Sequence, residues 1–521
     1  MNLKKRYEYI IIGSGFGGAF TAYNLAKAGK EVLIVDRGRT VKRDDSCWDE
    51  TKLHVKDPLY RGETPFYADQ KYGSIEEMWP DDTVGGMSTF YGAVSLRMRE
   101  DDFQGAPVPG ASRRDEASVW PFAYKELAPH YDAAERILGI AGVSGLDATE
   151  PKRGAEYVHA PEKKLSFSSK KIWDASEKLG LHPFYLPMAI NFSGKFGKGK
   201  CISCSTCDHY LCKLEAKNDL SVTVLPQAVK KGAVLVPDTR AIKINCSGKK
   251  AVSVDLVHQS TYERITVRAD NIIVAGGALA SPHLLLSSGI DNIFKNYLIG
   301  RYLFRHANGV VTGLFPYKTN PDKTLQKQLG ISDYYFGAPY PLKNPPIGPW
   351  GMIQDVSSIG KGVLMMNAPK GLKTITAFLS DFFINLMCMA EDIPQYENKV
   401  YLETGKTDKF GMPALMVRHR YHKRDIEALR ALYGRAKKII VAAGGLPVYT
   451  MRFNTFSHAM GTCRMGVNKA SSAVDPECRV WGMNNVYVID AGVMPSGGAV
   501  NPSLTIAALA LRASGMMTSK K

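Results

Sequence analysis

The stretch YIIIGSGFGGAFTAYNLAKAGKEVLIVDRG, residues 9–38, determines the class of fold to which this 521-residue chain belongs. Its β-rich, apolar start predicts a first strand over residues 7–12, and apolar residues at helical spacing follow as far as Gly29. A second buried strand, EVLIVD, ends at Asp36. A strand, a glycine turn, a helix and another strand in this order predict a Rossmann-like dinucleotide-binding unit in an α/β fold.

The glycine turn fits the G-x-G-x-x-G fingerprint at Gly13, Gly15 and Gly18. The first glycine permits a tight turn, the second lets the backbone approach a pyrophosphate, and the third lets helix and strand pack closely. The phosphates then lie at a helix N-terminus, whose free N–H groups favour anions. Asp36 is placed to accept a hydrogen bond from a ribose hydroxyl. Because the fingerprint serves both FAD and NAD, the turn alone leaves the cofactor open.

Composition and charge narrow the class of protein. The formal net charge is +17, but its short clusters KKR, KGK and KK are dispersed, which predicts no nucleic-acid partner. No run of about 18 uncharged apolar residues occurs, so we expect no membrane span. The N-terminal apolar run enters the glycine motif directly, without the features of a signal peptide, and this predicts a cytoplasmic location. A chain of this length is too long to fold around a single hydrophobic core, so two domains or an interrupted domain are expected.

Three further stretches, between residues 83 and 290, bear on the choice of ligand. TVGGMSTFYGAVSLR, residues 83–97, predicts a loop that lies flat against such a ligand. GAVLVPDTRAIKI predicts a strand whose Ile242 touches an adenine. NIIVAGGALASPHLLLSSGI predicts a buried strand, a turn and a helix that begins near Ser281-Pro282, since proline is favourable at a helix start.

The end of the chain adds two more segments. VYVIDAGVMPSGGAVNPSLTIAALALR predicts a strand ending at Asp490, a glycine-rich loop, and a helix with Asn501 as N-cap and Pro502 as first residue. HAMGTCRMG, residues 458–466, contains His458, which on its own is either a chemical group or a packed histidine in a turn.

Taken together and in order, GSGFGG, VGGMST, AGGALASPHLLLSSG, HAMGTCRMG and DAGVMPSGGAVNPSLT resemble the glucose–methanol–choline (GMC) family of FAD-dependent oxidoreductases. Within that family the motifs are most similar to pyranose oxidases and bacterial glycoside 3-oxidases. The resemblance implies FAD rather than NAD. Phe90 stands where fungal pyranose oxidases carry the histidine that holds their flavin, so we expect non-covalent FAD. The expected cofactor-binding residues are Gly13, Gly15, Phe16, Gly18, Asp36, Arg37, Gly85, Gly86, Ser88, Tyr91, Ile242, Ala275, Gly276, Asp490, Ala491, Asn501, Pro502 and Ser503.

The resemblance also implies a domain organisation. A Rossmann-like FAD-binding domain, residues 1–100, 201–309 and 446–521, is expected to be interrupted by a substrate domain, residues 101–200 and 310–445. In the family the substrate domain is a large antiparallel β-sheet with covering helices. CMAEDIPQYENKVYLE fits one of its strands, with a turn at Pro394-Gln395 and a β-run from Lys399. The Pro/Gly-rich residues 337–351 predict a loop that belongs to a lid or to an interaction arm.

Oxidation of an alcohol by a flavin removes a hydride, which goes to flavin N5, and the hydroxyl proton, which needs a base with a pKa near the working pH. The family's catalytic pair is a histidine with a second histidine or an asparagine, at the positions of His458 and Asn501. We therefore expect His458 as the base and Asn501 as the amide that holds the reacting oxygen. Gln354 and Asp355 are expected to reach substrate hydroxyls, and His306 resembles a family position with a structural role.

The predicted function is oxidation of a secondary hydroxyl of a sugar or glycoside to a ketone, with oxygen or another acceptor reoxidising the flavin. Oxidation of a non-sugar alcohol, such as a sterol or aryl alcohol, is the alternative within the family. A non-redox hydroxynitrile lyase on the same fold is an alternative of another class. The sequence leaves the electron acceptor and the oligomeric state open.

Four cysteines crowd into one segment in a C-x2-C-x2-C-x4-C pattern: Cys201, Cys204, Cys207 and Cys212. The pattern resembles ferredoxin spacing, but its last gap is longer and no proline follows. An iron–sulfur cluster, a zinc site, redox-labile thiols and no metal at all are each compatible with it. Our prediction is that the protein holds no metal.

Overall fold

The computed structural model describes residues 3–55, 58–71, 74–106, 118–337, 350–357, 360–367, 370–371 and 373–519. The strands are β1 Arg6–Ile12, β2 Val32–Val35, β3 Phe66–Lys71, β4 Ser74–Met78, β5 Phe184–Tyr185, β6 Val234–Val236, β7 Thr239–Ser247, β8 Lys250–His258, β9 Arg264–Val274, β10 Ala307–Leu314, β11 Leu329–Ile331, β12 Gly351–Val356, β13 Phe383–Ala390, β14 Lys399–Thr407, β15 Pro413–Arg418, β16 Leu446–Arg452 and β17 Val486–Val488. The helices are α1 Phe16–Lys27, α2 Tyr124–Leu138, α3 Phe167–Lys178, α4 Val224–Lys230, α5 Gly277–Ser287, α6 Ile290–Phe294, α7 Lys361–Asn367, α8 Lys373–Leu379, α9 Lys423–Ala442 and α10 Ser503–Ser519.

The first sheet confirms the predicted Rossmann-like unit. Its strands run in the order β6-β2-β1-β9-β8-β7, and β17 also pairs with β9. The strands nearest the glycine turn are parallel: β1 lies between β2 and β9, and β17 extends the parallel part beside β9. The parts of these strands nearest the turn, residues 9–12, 32–35 and 272–274, are buried, as expected for parallel strands with helices packed on their faces. α1 and α10 pack against each other beside this sheet, so the N-terminal and C-terminal segments share one core.

The second sheet confirms the expected antiparallel layer. Its order is β16-β10-β13-β12-β11-β5, and its neighbouring strands are antiparallel throughout. α9 covers it with a stripe of buried residues at helical spacing, which includes Leu429, Leu432, Ala436 and Ile440. β16 begins at residue 446, where the expected FAD-binding domain resumes, and it pairs with β10. The division into domains stays a prediction.

A third sheet of four strands, in the order β14-β15-β3-β4, corrects one expectation. The β-run from Lys399 forms β14 as predicted, but it pairs with β15 and lies outside the six-stranded sheet. Its predecessor β13 does belong to the six-stranded sheet. The chain therefore changes sheet between Ala390 and Lys399, where the backbone has no regular structure.

α5 also differs from its prediction, since it begins at Gly277 and contains Pro282 in its interior. A proline inside a helix leaves the carbonyl four residues earlier without its helical donor. Here that carbonyl is on Ala278, and the Thr462 hydroxyl donates to it at 2.7 Å. The buried threonine thus compensates for the missing N–H and allows the helix to begin earlier.

Among the described residues, the helices are either too short or too polar to cross a membrane. The predicted loop at residues 337–351 lies, apart from Gly337, Trp350 and Gly351, outside the described residues.

Candidate active site

The glycine turn between β1 and α1 is packed tightly on two sides and open on a third. A Cβ on Gly13, whose φ is +105°, would lie 2.3 Å from the Ala275 carbonyl oxygen. A Cβ on Gly17 would lie 1.7 Å from the carbonyl oxygen of Ile489. At Gly15, by contrast, an added Cβ meets no atom within 4 Å. The open space above Gly15, at the N-terminus of α1, fits the pyrophosphate of FAD.

Ser14 joins the glycine turn to the loop at residues 83–97. Its N–H and its hydroxyl donate to Asp36 Oδ2 at 2.6 Å and 2.5 Å, and its oxygen accepts from the Gly85 N–H at 2.8 Å. The Gly38 N–H donates to the other Asp36 oxygen at 2.6 Å. Burial raises the pKa of Asp36, and these hydrogen bonds oppose the rise. Asp36, expected to bind a ribose, therefore also holds the two loops together.

The predicted loop at residues 83–97 lies against the glycine turn. A Cβ on Gly86 would be 3.2 Å from the Gly15 Cα atom, so the two backbones approach closely. The Tyr91 and Phe16 rings lie 5.8 Å apart. Ser88 is buried, donates to the Gly85 carbonyl at 2.7 Å and accepts from a backbone N–H, so its hydroxyl stabilises the loop itself.

The turn after β9 is held by Asp490. Its Oδ2 accepts from the Gly277 N–H at 2.9 Å and from the Ser281 hydroxyl at 2.5 Å, and its Oδ1 accepts from the Gly492 N–H at 2.7 Å. Ser281 also accepts from the Gly276 N–H at 2.9 Å. Of the residues expected to bind the cofactor here, Asp490 and Gly276 thus form the frame of the turn, which places Ala275 against Gly13.

At the far end of the expected cofactor site, Arg37 follows Asp36 directly and forms an ion pair with Asp82 at 3.0 Å. Ile242 on β7 is half-buried, as a residue that covers an adenine would be. Arg240 lies on the same strand, is buried, and pairs with Asp408 at 3.1 Å. Burial, together with the charge of Arg37, lowers the pKa of Arg240 to about 10.

His458 lies opposite His306 because of a short antiparallel bridge. The Phe304 and Met460 backbones exchange two hydrogen bonds, of 3.1 Å and 2.8 Å, and two residues further from this bridge the histidine side chains meet. Their Nδ1 atoms lie 2.9 Å apart, with ring planes at 88°. His306 was expected to be structural, and sequence reasoning did not predict its contact with His458. The pairing depends on the bridge, for which neither segment carries a local signal.

Both histidines are neutral near pH 7. Burial lowers the pKa of His306 to about 4, and backbone groups of Gly497 and Gly498 oppose this in part. Burial also lowers the pKa of His458 well below its ordinary value of 6.5, and repulsion from Lys327 and from the protonated form of His306 acts in the same direction. The His458 Nε2 atom makes no hydrogen bond to any residue that the structure describes, so it is available to a ligand.

Asn501 lies at the end of the glycine-rich loop that packs on this bridge. A Cβ on Gly497 in that loop would lie within 2.9 Å of both Phe304 and Met460. The Asn501 Oδ1 atom accepts from Gln354 Nε2 at 2.9 Å. Two of the residues expected to touch substrate, Gln354 and Asn501, are therefore in direct contact with each other.

The same geometry corrects the capping role expected for Asn501. α10 begins at Ser503, and the Pro502 carbonyl accepts from the Ile506 N–H at 3.0 Å, so Pro502 occupies the cap position. The Asn501 side chain bonds to Gln354 and not to the first turn of the helix. Asp355 is also corrected: its carboxylate accepts from the Gln328 and Leu329 N–H groups and from Ser169, so it holds the sheet.

The buried ion pair of Lys327 and Asp208, at 2.8 Å, was not predicted. It lies against Gly92 in the loop at residues 83–97, where an added Cβ would be 2.4 Å from Lys327 Nζ. Lys327 also lowers the pKa of His458, so this ammonium group acts electrostatically on the candidate base. No local pattern distinguishes Lys327 from the many other lysines of the chain.

The cysteine segment packs against the same loop. The buried Lys217 Nζ donates to the carbonyls of Tyr91 at 3.1 Å, Cys207 at 3.1 Å and Tyr210 at 2.7 Å. Burial raises the pKa of Cys207 to about 12, which keeps its thiol protonated. Within the described residues no three histidine, cysteine, aspartate or glutamate side chains are placed to hold a metal ion. That the protein holds no metal stays a prediction.

Comparison with known proteins agrees with this geometry. Residues 7–308 and residues 394–510 match two family models, both described as GMC oxidoreductase. The chain is 30% identical to 6'''-hydroxyparomomycin C oxidase of Streptomyces lividus, over 98% of this chain and 91% of that protein. It is 30% identical to paromamine 6'-oxidase of Streptomyces fradiae, over 97% and 90%. It is 28% identical to 2-methyl-1,2-propanediol dehydrogenase of Mycolicibacterium austroafricanum, over 97% and 94%.

Among solved structures, the fold is similar to that of pyridoxine 4-oxidase from Mesorbium loti, with a TM-score of 0.67 and 18% sequence identity over 99% of this chain and 100% of that one. This likeness supports the α/β fold with its separate antiparallel sheet. The family models together match most of the chain, including the glycine turn, the segment of His458 and Asn501. The chain therefore belongs to the GMC oxidoreductase family, FAD-dependent enzymes that oxidise CH–OH groups.

Proposed function

We propose that this protein oxidises a hydroxyl group of a sugar or glycoside, with His458 as the base that takes the hydroxyl proton. The observation that carries the proposal is the contact between His306 and His458, which leaves one nitrogen of His458 unbonded beside the loop of Asn501. FAD, when bound along the glycine turn, supplies the acceptor for the hydride. The rest of the chemistry falls to side chains of this chain.

The 2.9 Å contact determines what His458 can do. Two neutral rings share one hydrogen between their Nδ1 atoms, so one ring donates and the other accepts. If His458 carries the hydrogen on Nδ1, its Nε2 bears a free lone pair and can accept the substrate proton. In the opposite tautomer Nε2 would carry the hydrogen and could not act as a base. His458 can therefore act as the base only when His306 accepts this hydrogen bond.

Asn501 supplies the second function. Its Oδ1 is bonded to Gln354, and its Nδ2 makes no hydrogen bond to a described residue. An amide N–H can donate to the substrate oxygen while negative charge develops on it, without changing its own protonation state. The base and the donor would thus act on the same oxygen.

The substrate class is proposed from the relatives and not from the pocket. Two of the relatives named above are oxidases of paromamine and of a hydroxyparomomycin, which supports an amino-sugar glycoside. These two relatives take the place of the pyranose oxidases as the basis of the substrate proposal. We retain a secondary hydroxyl and a ketone product as part of the proposal.

The relative that is a dehydrogenase of 2-methyl-1,2-propanediol supports a second candidate, oxidation of a small non-sugar alcohol. The two candidates share the base and the donor and differ only in the substrate. They are separated by the same experiment.

The experiment is anaerobic mixing of the purified holoenzyme with paromamine, glucose, an aryl glucoside or 2-methyl-1,2-propanediol, while the flavin absorbance is followed. Bleaching by a glycoside and not by the diol supports the proposal, and product analysis then identifies a ketone or an aldehyde. Bleaching by the diol alone overturns the glycoside assignment. The variant His458→Gln should lower the bleaching rate about 10²- to 10⁴-fold, whereas His182→Gln, on an exposed histidine, should not.

Two further readings come from the same samples. If acid precipitation releases all of the flavin, this supports the non-covalent FAD that Phe90 predicts. Flavin that stays in the protein pellet contradicts that prediction. Admission of oxygen to the reduced enzyme, with peroxide measured, distinguishes an oxidase from a dehydrogenase that uses another acceptor.

A further inference from the structure

Gln354 lies beside the proposed active site without being exposed to it. It is on β12, where its neighbours are Gly330 on β11 and Met387 on β13, and it is completely buried. A strand hydrogen-bonded on both sides holds this backbone rigidly. A role in direct contact with substrate, as the sequence suggested, does not fit a side chain with no exposed surface.

The orientation of the Gln354 amide is fixed by its partners. Its Nε2 lies 3.3 Å from Met352 Sδ and 2.9 Å from Asn501 Oδ1. A thioether sulfur can only accept a hydrogen bond, so the NH₂ group and not the oxygen of Gln354 must face it. Both hydrogens of Nε2 are then used, and Asn501 must present its oxygen to Gln354.

We propose that Gln354 is a positioning residue, which fixes the amide of Asn501 so that Asn501 Nδ2 is directed at the oxygen of the substrate. Without this contact the Asn501 amide can turn over and present its oxygen to the substrate oxygen, where two acceptors repel each other. The inference rests on the proposed function for the role of Asn501, but it concerns any alcohol that binds there.

The cost of the arrangement supports a functional role. Gln354 Oε1 is buried and accepts no hydrogen bond from any residue that the structure describes. A buried amide with one unsatisfied end is a poor choice for stability, because no hydrogen bond compensates for the desolvation of its oxygen. Gln328 provides the contrast, because its oxygen accepts from the Ser166 N–H at 2.7 Å and its nitrogen donates to the Lys164 carbonyl at 3.0 Å.

The test compares Gln354→Met with the control Gln328→Met in the holoenzyme. We expect Gln354→Met to keep its FAD content and to lose less Tm than the control, because methionine also removes the unsatisfied Oε1 atom. The rate of flavin reduction at saturating substrate should fall about 10- to 100-fold. The KM should change less than about twofold. Gln328→Met should show the opposite pattern, a lower Tm with an unchanged rate. A loss of Tm in Gln354→Met that is as large as in the control, with an unchanged reduction rate, overturns the proposal.

A double-mutant cycle measures whether Gln354 and Asn501 are coupled in the reduction rate, which a purely structural role of Gln354 would not produce. If Gln354 acts through Asn501, then Asn501→Ala should reduce the rate as much alone as together with Gln354→Met. If the rate in the double variant falls by the product of the two single-variant effects, the proposal is overturned.

The variant Gln354→Glu tests the same contact through its pH dependence. A buried carboxyl group is protonated at low pH and can then donate to Asn501 Oδ1, whereas the ionised form can only accept. The ratio of its reduction rate to that of the wild type should therefore fall as the pH rises. A ratio independent of pH overturns the proposal.

These outcomes are separable from a failure of the proposed function. If paromamine, glucose and the aryl glucoside all leave the wild-type flavin oxidised, the glycoside assignment fails. The cycle is then run with 2-methyl-1,2-propanediol, on which the positioning of Asn501 predicts the same pattern. The Tm comparison of the two glutamine variants needs no substrate.

Discussion

The Nδ1 atoms of His306 and His458 lie 2.9 Å apart, although 152 positions separate the two residues in the chain. Both rings are neutral near pH 7, so one hydrogen is shared between them and the tautomer of one ring determines that of the other. A histidine that sequence comparison placed among structural residues thus controls which nitrogen of His458 carries a lone pair.

The variant His306→Leu should lower the rate of substrate oxidation without moving its acid limb to higher pH. Burial lowers the pKa of His306 to about 4, so the substitution removes no positive charge from beside His458 near pH 7. Burial is also the main cause of the low pKa of His458, and leucine keeps that burial. We expect a lower maximum of kcat/KM, because the Nδ1–H of His458 loses the acceptor that determines its tautomer. An unchanged maximum, or an acid limb shifted to higher pH, would contradict this role of His306.

Two alanine substitutions in the glycine turn should have different effects. At Gly15 the backbone φ of −65° suits alanine and the added methyl group meets no protein atom, so Gly15→Ala should fold. The methyl group would, however, occupy the space for the pyrophosphate, and we expect an FAD affinity at least about tenfold lower, which corresponds to roughly 1.4 kcal/mol. Gly17→Ala places its Cβ 1.7 Å from the Ile489 carbonyl oxygen, so it should fail to accumulate as folded protein.

The measurement is FAD binding to the deflavinated variant by fluorescence, with circular dichroism as the check on folding. An unchanged FAD affinity of Gly15→Ala would show that the space above Gly15 is not the phosphate site.

Thr462→Val should destabilise the protein without affecting the oxidation reaction. The Thr462 hydroxyl is buried and satisfies the Ala278 carbonyl that Pro282 leaves without a donor. Valine keeps the shape but leaves that carbonyl unsatisfied, which costs about 1–3 kcal/mol. The free energy of unfolding, measured by denaturant titration, should fall by this amount. In the double variant Pro282→Ala/Thr462→Val the loss should be smaller, because the backbone N–H at 282 returns; an equal loss would contradict the explanation.

Asp355 should make the stability depend on pH. Burial raises its pKa from an ordinary 3.8 to about 7, and hydrogen bonds from Ser169, Leu329 and Gln328 oppose the rise. Since the folded-state pKa exceeds the unfolded one, the contribution of Asp355 is most favourable below about pH 4 and is lost as the pH rises towards 7.

In Asp355→Asn this loss disappears, so the Tm of the variant relative to the wild type should increase from pH 5 to pH 8. The exposed Asp174→Asn serves as the control and should show no such change. A constant difference between Asp355→Asn and the wild type would contradict the raised pKa.

The sequence by itself determined the parts of the protein that depend on near neighbours. The Rossmann-like unit follows from strand, turn and helix patterns within residues 9–38, because glycine conformations and apolar periodicity act over a few residues. The same holds for the loop at residues 83–97 and for the strand that ends before Asp490. Five such segments in order were enough to predict the family and FAD.

Only the tertiary structure decided which side chains face each other. His306 meets His458 through the bridge of Phe304 and Met460, and Gln354 meets Asn501 across 147 positions of the chain. These contacts depend on the register between distant strands and loops, which no local pattern encodes. The early start of α5 has the same origin, because the Thr462 hydroxyl, 184 positions from Ala278 in the chain, supplies to the Ala278 carbonyl the hydrogen bond that Pro282 removes.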